Sequence, residues 1–205
     1  MPLIITGTQR AGTTATARLF QAEGHDLGST LMDEVGGLEN ETVSSFYRHY
    51  LGDPTFPFDD FPNLTQGART EFEFMFMSWP VIKFSYLCMN PAFVSIWHKF
   101  RPVGCGDRFL IMYRNTETVC QSKRRHIERF SHDSPLLGLP PYAMQYNFDA
   151  SCVALNNLGY PITIMPFDRL IQDFSINQYL TNLGTDLRIK EETWEKIIDP
   201  GKVHC

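Results

Sequence analysis

A short apolar run, Pro2-Leu3-Ile4-Ile5-Thr6, passes directly into Gly7-Thr8-Gln9-Arg10-Ala11-Gly12-Thr13-Thr14, and residues 14–23 then read as a helix closed by Gly24. A buried strand feeding a glycine-rich turn that opens a helix fits few architectures. The loop's backbone N–H groups wrap around an anion, and the helix N-terminus adds partial positive charge. Small residues let the backbone approach closely, and Thr13 and Thr14 add hydroxyl donors. The spacing is that of a phosphate loop, GxxxxG plus two residues, but Thr13 stands where GxxxxGK[ST] requires lysine. Arg10 is the cation within the loop. The missing lysine argues against an ordinary ATPase or GTPase. Such an enzyme also needs a magnesium carboxylate at a strand end. Here the central strand Phe109–Tyr113 ends in Arg114, and Asp168 is only a loose substitute. The plainer reading is a glycine-rich turn that holds no ligand.

The rest of the chain alternates strands and helices. Val81–Phe84, Phe109–Tyr113 and Ile162–Met165 read as strands. Helices are expected over about 41–51, from Asn90-Pro91 to about Arg101, over about 116–130, from about Tyr142 to Leu158, and around Glu191–Ile198. A further helix is expected to open on a capping box, Ser175 with Gln178. The proline-bearing stretch 53–66 and residues 131–141 read as loops, while 70–78 fits either a helix or a strand. This order predicts a three-layer α/β/α fold around a central parallel sheet, with residues 1–205 forming one domain.

A second anion site is suggested at the end of another strand. In an open α/β sheet, ligands sit outside the carboxyl ends of the strands. Arg114 closes the strand Phe109–Tyr113, and Ser122 lies about two turns into the helix after it. The alternative is a structural ion pair for Arg114 beside a solvated basic helix face; for Lys123, Arg124, Arg125 and Arg129 the solvated face is favoured, and on the residues alone the structural reading is favoured for Arg114 and Ser122 too. Charge supports a confined anion. Residues 99–129 carry eight Lys/Arg against three Asp/Glu, whereas the whole chain has net charge −5. A net acidic protein is a poor binder of bulk nucleic acid, and a cationic island within it suits one small anion.

Five scattered cysteines without a CxxC pair point to reduced thiols in a cytoplasmic setting and away from a zinc site, so no metal is expected. No apolar run approaches a membrane span, and Met1–Ile5 has no basic leader region, so neither a membrane nor a signal peptide is expected.

Together these segments resemble the sulfotransferases that use 3′-phosphoadenosine 5′-phosphosulfate (PAPS), closer to bacterial-type members than to the cytosolic animal enzymes. Thr8-Gln-Arg-Ala-Gly-Thr-Thr14 resembles the family's 5′-phosphosulfate loop, P-[RK]-S-G-T-T. The resemblance implies that Thr8, Arg10, Ala11, Gly12, Thr13 and Thr14 surround the cofactor's 5′ end. Ala11 replaces the usual serine and Gln9 the usual proline. The segment Phe109 to Ser122, with Arg114 at the strand end, resembles the 3′-phosphate site and assigns that phosphate to Arg114 and Ser122. Gly37-Leu38-Glu39 resembles a Gly-aromatic-Glu segment of bacterial members, and Phe167-Asp168-Arg169-Leu170 resembles a Y-E-D-L turn. The family's Lys-Thr-His strand corresponds to Lys83-Phe84-Ser85, without the histidine. The adenine-contacting Arg-Lys-Gly element of the animal enzymes is not evident.

The implied reaction moves a sulfuryl group from PAPS to an acceptor hydroxyl or amine. Arg10 and Lys83 would stabilise charge on the leaving oxygen. Glu39 is the candidate base, with Glu34 and His25 behind it; a helix-entry carboxylate is the competing reading of Glu39. His98 and His126 read as surface or packing residues, and the Phe/Met-rich stretch Phe72–Trp79 as core. An atypical phosphate-loop kinase or nucleotide hydrolase, and a nucleotide-binding protein without catalysis, are the alternatives. The acceptor, a small molecule or a glycan, and the oligomeric state are not legible. Residues 26–73 hold ten acidic and two basic residues, which favours a neutral or cationic acceptor if they form its side of the site.

Overall fold

The computed structural model describes residues 1–8, 10–28, 30–31, 37–41, 43, 79–89, 91–122 and 140–198. Four strands form a parallel sheet: β1 (Leu3–Gly7), β4 (Val81–Lys83), β5 (Arg108–Tyr113) and β6 (Ile162–Pro166), in the order β4-β1-β5-β6. Two short strands, β2 (Thr30–Leu31) and β3 (Glu39–Asn40), pair antiparallel beside it.

Alternation along the strands sends side chains to opposite faces, and helices bury both. Ile4, Ile82, Phe109 and Ile111 pack with Phe93, Trp97, Phe148 and Leu155, which lie on α2 (Pro91–Phe100) and α4 (Pro141–Asn157). Leu3, Ile5, Val81, Leu110, Met112 and Met165 face the other way. They pack with residues of α1 (Thr13–Ala22), α5 (Phe167–Gln172) and α6 (Ile176–Asn182). Residues 116–122 are helical, here α3, and α7 (Glu191–Ile197) closes the order. The expected α/β/α layering is therefore observed.

The connectivity positions the site. From β1 the chain passes to β4 on one side, and β5 then lies on the other side of β1. The strand order reverses between β1 and β5. That is where an open α/β sheet leaves a crevice at its carboxyl edge.

At the opposite edge a buried polar cluster anchors the start of β5. Arg101 and Asp107 form a two-armed ion pair at 2.7 and 2.5 Å, and the Trp97 indole N–H donates to Asp107 at 3.0 Å. The Tyr160 hydroxyl donates to the Arg101 carbonyl, and His98 Nδ1 lies 3.1 Å from the same hydroxyl. Burial, then the Asp107 carboxylate, pushes the Tyr160 phenol well above its ordinary range. His98 thus packs as expected. Tyr160→Phe should cost about 1–2 kcal/mol, because a buried carbonyl loses its donor. Chemical denaturation with an unchanged m-value reads that loss.

Two local expectations are corrected. Ser175 precedes α6, but its side chain makes no cap; Gln178 N–H bonds the Ser175 carbonyl at 2.9 Å. Ser175 sits at φ −100°, ψ −5°, away from the extended conformation that aims a capping hydroxyl. Residues Phe167–Leu170 are not a turn but the start of α5, with Phe167 and Leu170 buried three positions apart on one face. Expectations for residues 44–78, Asn90 and 123–139 lie outside the described residues. Those ranges take in the Phe/Met-rich stretch up to residue 78, His126 and four of the eight cations of the basic island, Lys123, Arg124, Arg125 and Arg129; Glu34 also lies outside the described residues.

Candidate active site

Parallel pairing brings the carboxyl ends of β4, β1 and β5 to one edge, with Ile5 opposite Lys83 and Gly7 opposite Met112. At Gly7 a Cβ would lie 2.3 Å from the Met112 carbonyl oxygen, so only glycine lets the loop leave β1 this close to β5. Arg10 then turns at φ +63° and Gly12 at φ +89° before α1 begins at Thr13. A non-glycine residue in the left-handed region costs about 1–2 kcal/mol. Among the described residues the two that accept it are Arg10 and Leu38, next to the loop's apex and to Glu39. Such strain persists where the surroundings over-determine the backbone.

The two anion motifs meet. Arg10 Nε donates to Ser122 Oγ at 3.2 Å across 112 positions of sequence. Arg114 Nη1 donates to the Arg10 carbonyl at 3.4 Å, and its guanidinium lies 4.8 Å from the Phe167 ring centroid. The Phe167 ring in turn backs Gly12. Ser122 and Thr8 are buried, and among the described residues the Thr8 hydroxyl has no hydrogen-bond partner. A buried hydroxyl without a partner beside a helix N-terminus suits an anionic oxygen. Ala11 is fully buried, and its N–H closes the turn onto the Thr8 carbonyl at 3.2 Å.

A second set of contacts ties β3 and β4 to the same loop. Lys83 Nζ lies 2.5 Å from Glu39 Oε1 and also donates to the Gly37 carbonyl. Ser85 donates its N–H to Glu39 Oε2 at 3.0 Å and its hydroxyl to Oε1 at 2.6 Å. Thr13 Oγ1 lies 3.0 Å from Ser85 Oγ, and the Thr14 hydroxyl donates to the Gly37 carbonyl at 3.3 Å. Glu39 is thus a strand residue bonded into the loop rather than a helix-entry carboxylate. The side chain that accepts at the helix entry is the Asn40 amide, whose Oδ1 takes the Val43 N–H at 3.0 Å.

Thr8, Arg10, Ala11, Gly12, Thr13, Thr14, Glu39, Lys83, Arg114 and Ser122 therefore share one edge of the sheet. His25 does not. It follows the far end of the ten-residue α1, about 15 Å from the loop, and packs on Phe20. Asp168 is exposed on α5. Among the described residues no group of three or more His, Cys, Asp or Glu could hold a metal ion, and Cys88, Cys105, Cys120 and Cys152 are free thiols. No helix among them is long and apolar enough to cross a membrane. Ser85 is the site residue that sequence reading missed. The signal was its position two residues after Lys83, where the family motif has histidine.

A parallel sheet flanked by helices, with a glycine-bearing loop at the strand-order reversal, defines an α/β protein with a crevice at the carboxyl edge of its sheet. The sequence matches no protein-family model, and no curated protein matches it. Solved structures do. A crystal structure of a sulfotransferase from Alicyclobacillus acidocaldarius is similar over 96% of this chain and 90% of that one, with TM-score 0.59 and 15% identity. The sulfotransferase domain from the curacin biosynthetic pathway is similar over 97% of this chain and 78% of that one, with TM-score 0.50 and 13% identity. The chain has the bacterial-type sulfotransferase fold.

Proposed function

We propose that this protein is a PAPS-dependent sulfotransferase, moving a sulfuryl group to an acceptor hydroxyl or amine. The observation that carries this reading is the meeting of Arg10 with Ser122 and Arg114 at the sheet's carboxyl edge. Two anion motifs far apart in sequence form one surface, which suits a ligand with two separate anionic ends.

Arg114 and Ser122 would hold the 3′-phosphate. The loop from Thr8 to Thr14 would hold the 5′ end through its N–H groups and hydroxyls. PAPS supplies the sulfuryl group and a leaving phosphate oxygen on which negative charge grows. Arg10 and Lys83 are the cations available to that charge. Lys83 starts from its pair with Glu39, so it is already directed at the same edge as the loop. Glu39 would take the acceptor's proton. The reading calls for no metal, places the enzyme in the cytoplasm, and leaves the acceptor open between a small molecule and a glycan.

Thermal shift separates this reading from a kinase-like one. Adenosine 3′,5′-bisphosphate should stabilise the protein and Mg-ATP should not; the reverse would refute the proposal. Transfer of labelled sulfate from PAPS to an acceptor pool separates an enzyme from a binding protein. Arg114→Ala should lose a charge-assisted contact of about 1.5–3 kcal/mol, roughly 10–150-fold in affinity for the 3′-phosphorylated nucleotide. Its affinity for the nucleotide lacking that phosphate should change little. An unchanged preference between the two would remove Arg114 from the site.

A further inference from the structure

Ser85 joins Glu39 to the anion loop. Its hydroxyl lies 2.6 Å from Glu39 Oε1 and 3.0 Å from Thr13 Oγ1, and its N–H holds Glu39 Oε2 at 3.0 Å. Ser85 and Thr13 are each 5% exposed. Each hydroxyl has one proton to donate, and an ionised carboxylate only accepts. With Glu39 ionised, Ser85 must donate to Glu39, and Thr13 then donates to Ser85. Thr13 thereby spends its proton away from the loop. With a proton on Glu39 Oε1 the chain runs the other way. Glu39 donates to Ser85, Ser85 donates to Thr13, and the Thr13 proton is released to an anion in the loop.

We propose that Ser85 is a positioning residue that couples the proton affinity of Glu39 to anion binding at residues 8–14. An anion that takes the Thr13 proton favours the reversed chain, and so makes Glu39 a stronger base. Lys83 acts in the same sense. It is the charged group in contact with Glu39 from β4; the segment after β4 presents only the neutral Ser85 hydroxyl and N–H, and the Thr13 hydroxyl of α1 bonds Ser85 in turn. Drawing Lys83 toward an anion removes positive charge from beside the carboxylate, which also raises its proton affinity. The coupling is reciprocal: a proton on Glu39 strengthens anion binding by the same factor. This rests on the sulfuryl-transfer reading of the site.

Titration calorimetry with adenosine 5′-phosphosulfate tests the coupling, because the 5′ end of that ligand has no group titrating in mild acid. Binding is measured at about pH 5.5, just above the ordinary glutamate range, in two buffers of different ionisation enthalpy. The wild type should take up a fraction of a proton from solvent on binding. Ser85→Ala and Thr13→Val, which break the chain from either side, should each lose most of that uptake. Ser85→Thr, which keeps the hydroxyl, should retain it. Equal uptake by the wild type and Ser85→Ala overturns the coupling and leaves the donor site intact. Failure of the wild type to bind adenosine 5′-phosphosulfate overturns the donor reading and the coupling with it.

Discussion

Glu39→Ala should destabilise the protein by about 3–5 kcal/mol as well as abolish sulfate transfer, because it leaves a buried ammonium unpaired. Lys83 is 2% exposed and ends 2.5 Å from Glu39 Oε1. Removing the carboxylate leaves Lys83 only the Gly37 carbonyl among the described contacts, and the Ser85 N–H loses its acceptor. Breaking one side of a buried pair costs far more than the pair contributes. Glu39→Gln keeps an acceptor oxygen and should cost less stability while still abolishing transfer. Lys83→Met combined with Glu39→Ala removes both charges. It should recover much of the stability lost by Glu39→Ala alone, without activity. Urea denaturation of the wild type, Glu39→Ala, Lys83→Met and the double variant forms the cycle. A Glu39→Ala loss below 1 kcal/mol would show that this pair is not held as a buried ion pair.

Gly12→Ala should disable nucleotide binding while leaving the sheet assembled. Gly12 has φ +89°, where a side chain costs about 1–2 kcal/mol. A Cβ there would lie 2.1 Å from the Phe167 ring, which is itself buried. Overpacking of that kind costs roughly 1–3 kcal/mol more. Relief requires the ring to move, and the ring carries the Arg114 guanidinium at 4.8 Å. The substitution therefore disturbs both proposed phosphate sites through one side chain. We expect affinity for adenosine 3′,5′-bisphosphate to fall by more than about tenfold, equivalent to 1.4 kcal/mol, by calorimetry. An unchanged affinity would place the nucleotide elsewhere on the protein.

Much of the frame was legible from the residues. Leu3–Gly7 and residues 109–112 are legible as strands because their side chains are buried on both faces of the sheet, Ile162–Pro166 is an edge strand with Ile164 exposed, and Gly24 marks the end of α1 because it adopts φ +84°. The elements that were missed carry no periodic signal. Strands β2 and β3 have two residues each, too few for alternation to show. The Ser175 capping box failed because the motif specifies residue types, whereas a cap also requires a backbone conformation that Ser175 does not adopt.

Local pattern in the residues was enough to show a glycine-bearing loop at the end of a buried strand, an arginine at the end of another, and an α/β frame to hold them. Spacing along the chain is enough for that, because loop, strand and helix are local. Only the tertiary structure decided that Arg10 reaches Ser122, and that Glu39 of one small strand holds Lys83 and Ser85 at the end of another. Those contacts join residues 44–112 positions apart; parallel pairing brings β1, β4 and β5 to one edge, and β3, paired antiparallel with β2, meets β4 there. A serine or a glutamate has no pattern that announces such a partner. Its role is set by the donors, acceptors and charges that folding places within 3 Å of it.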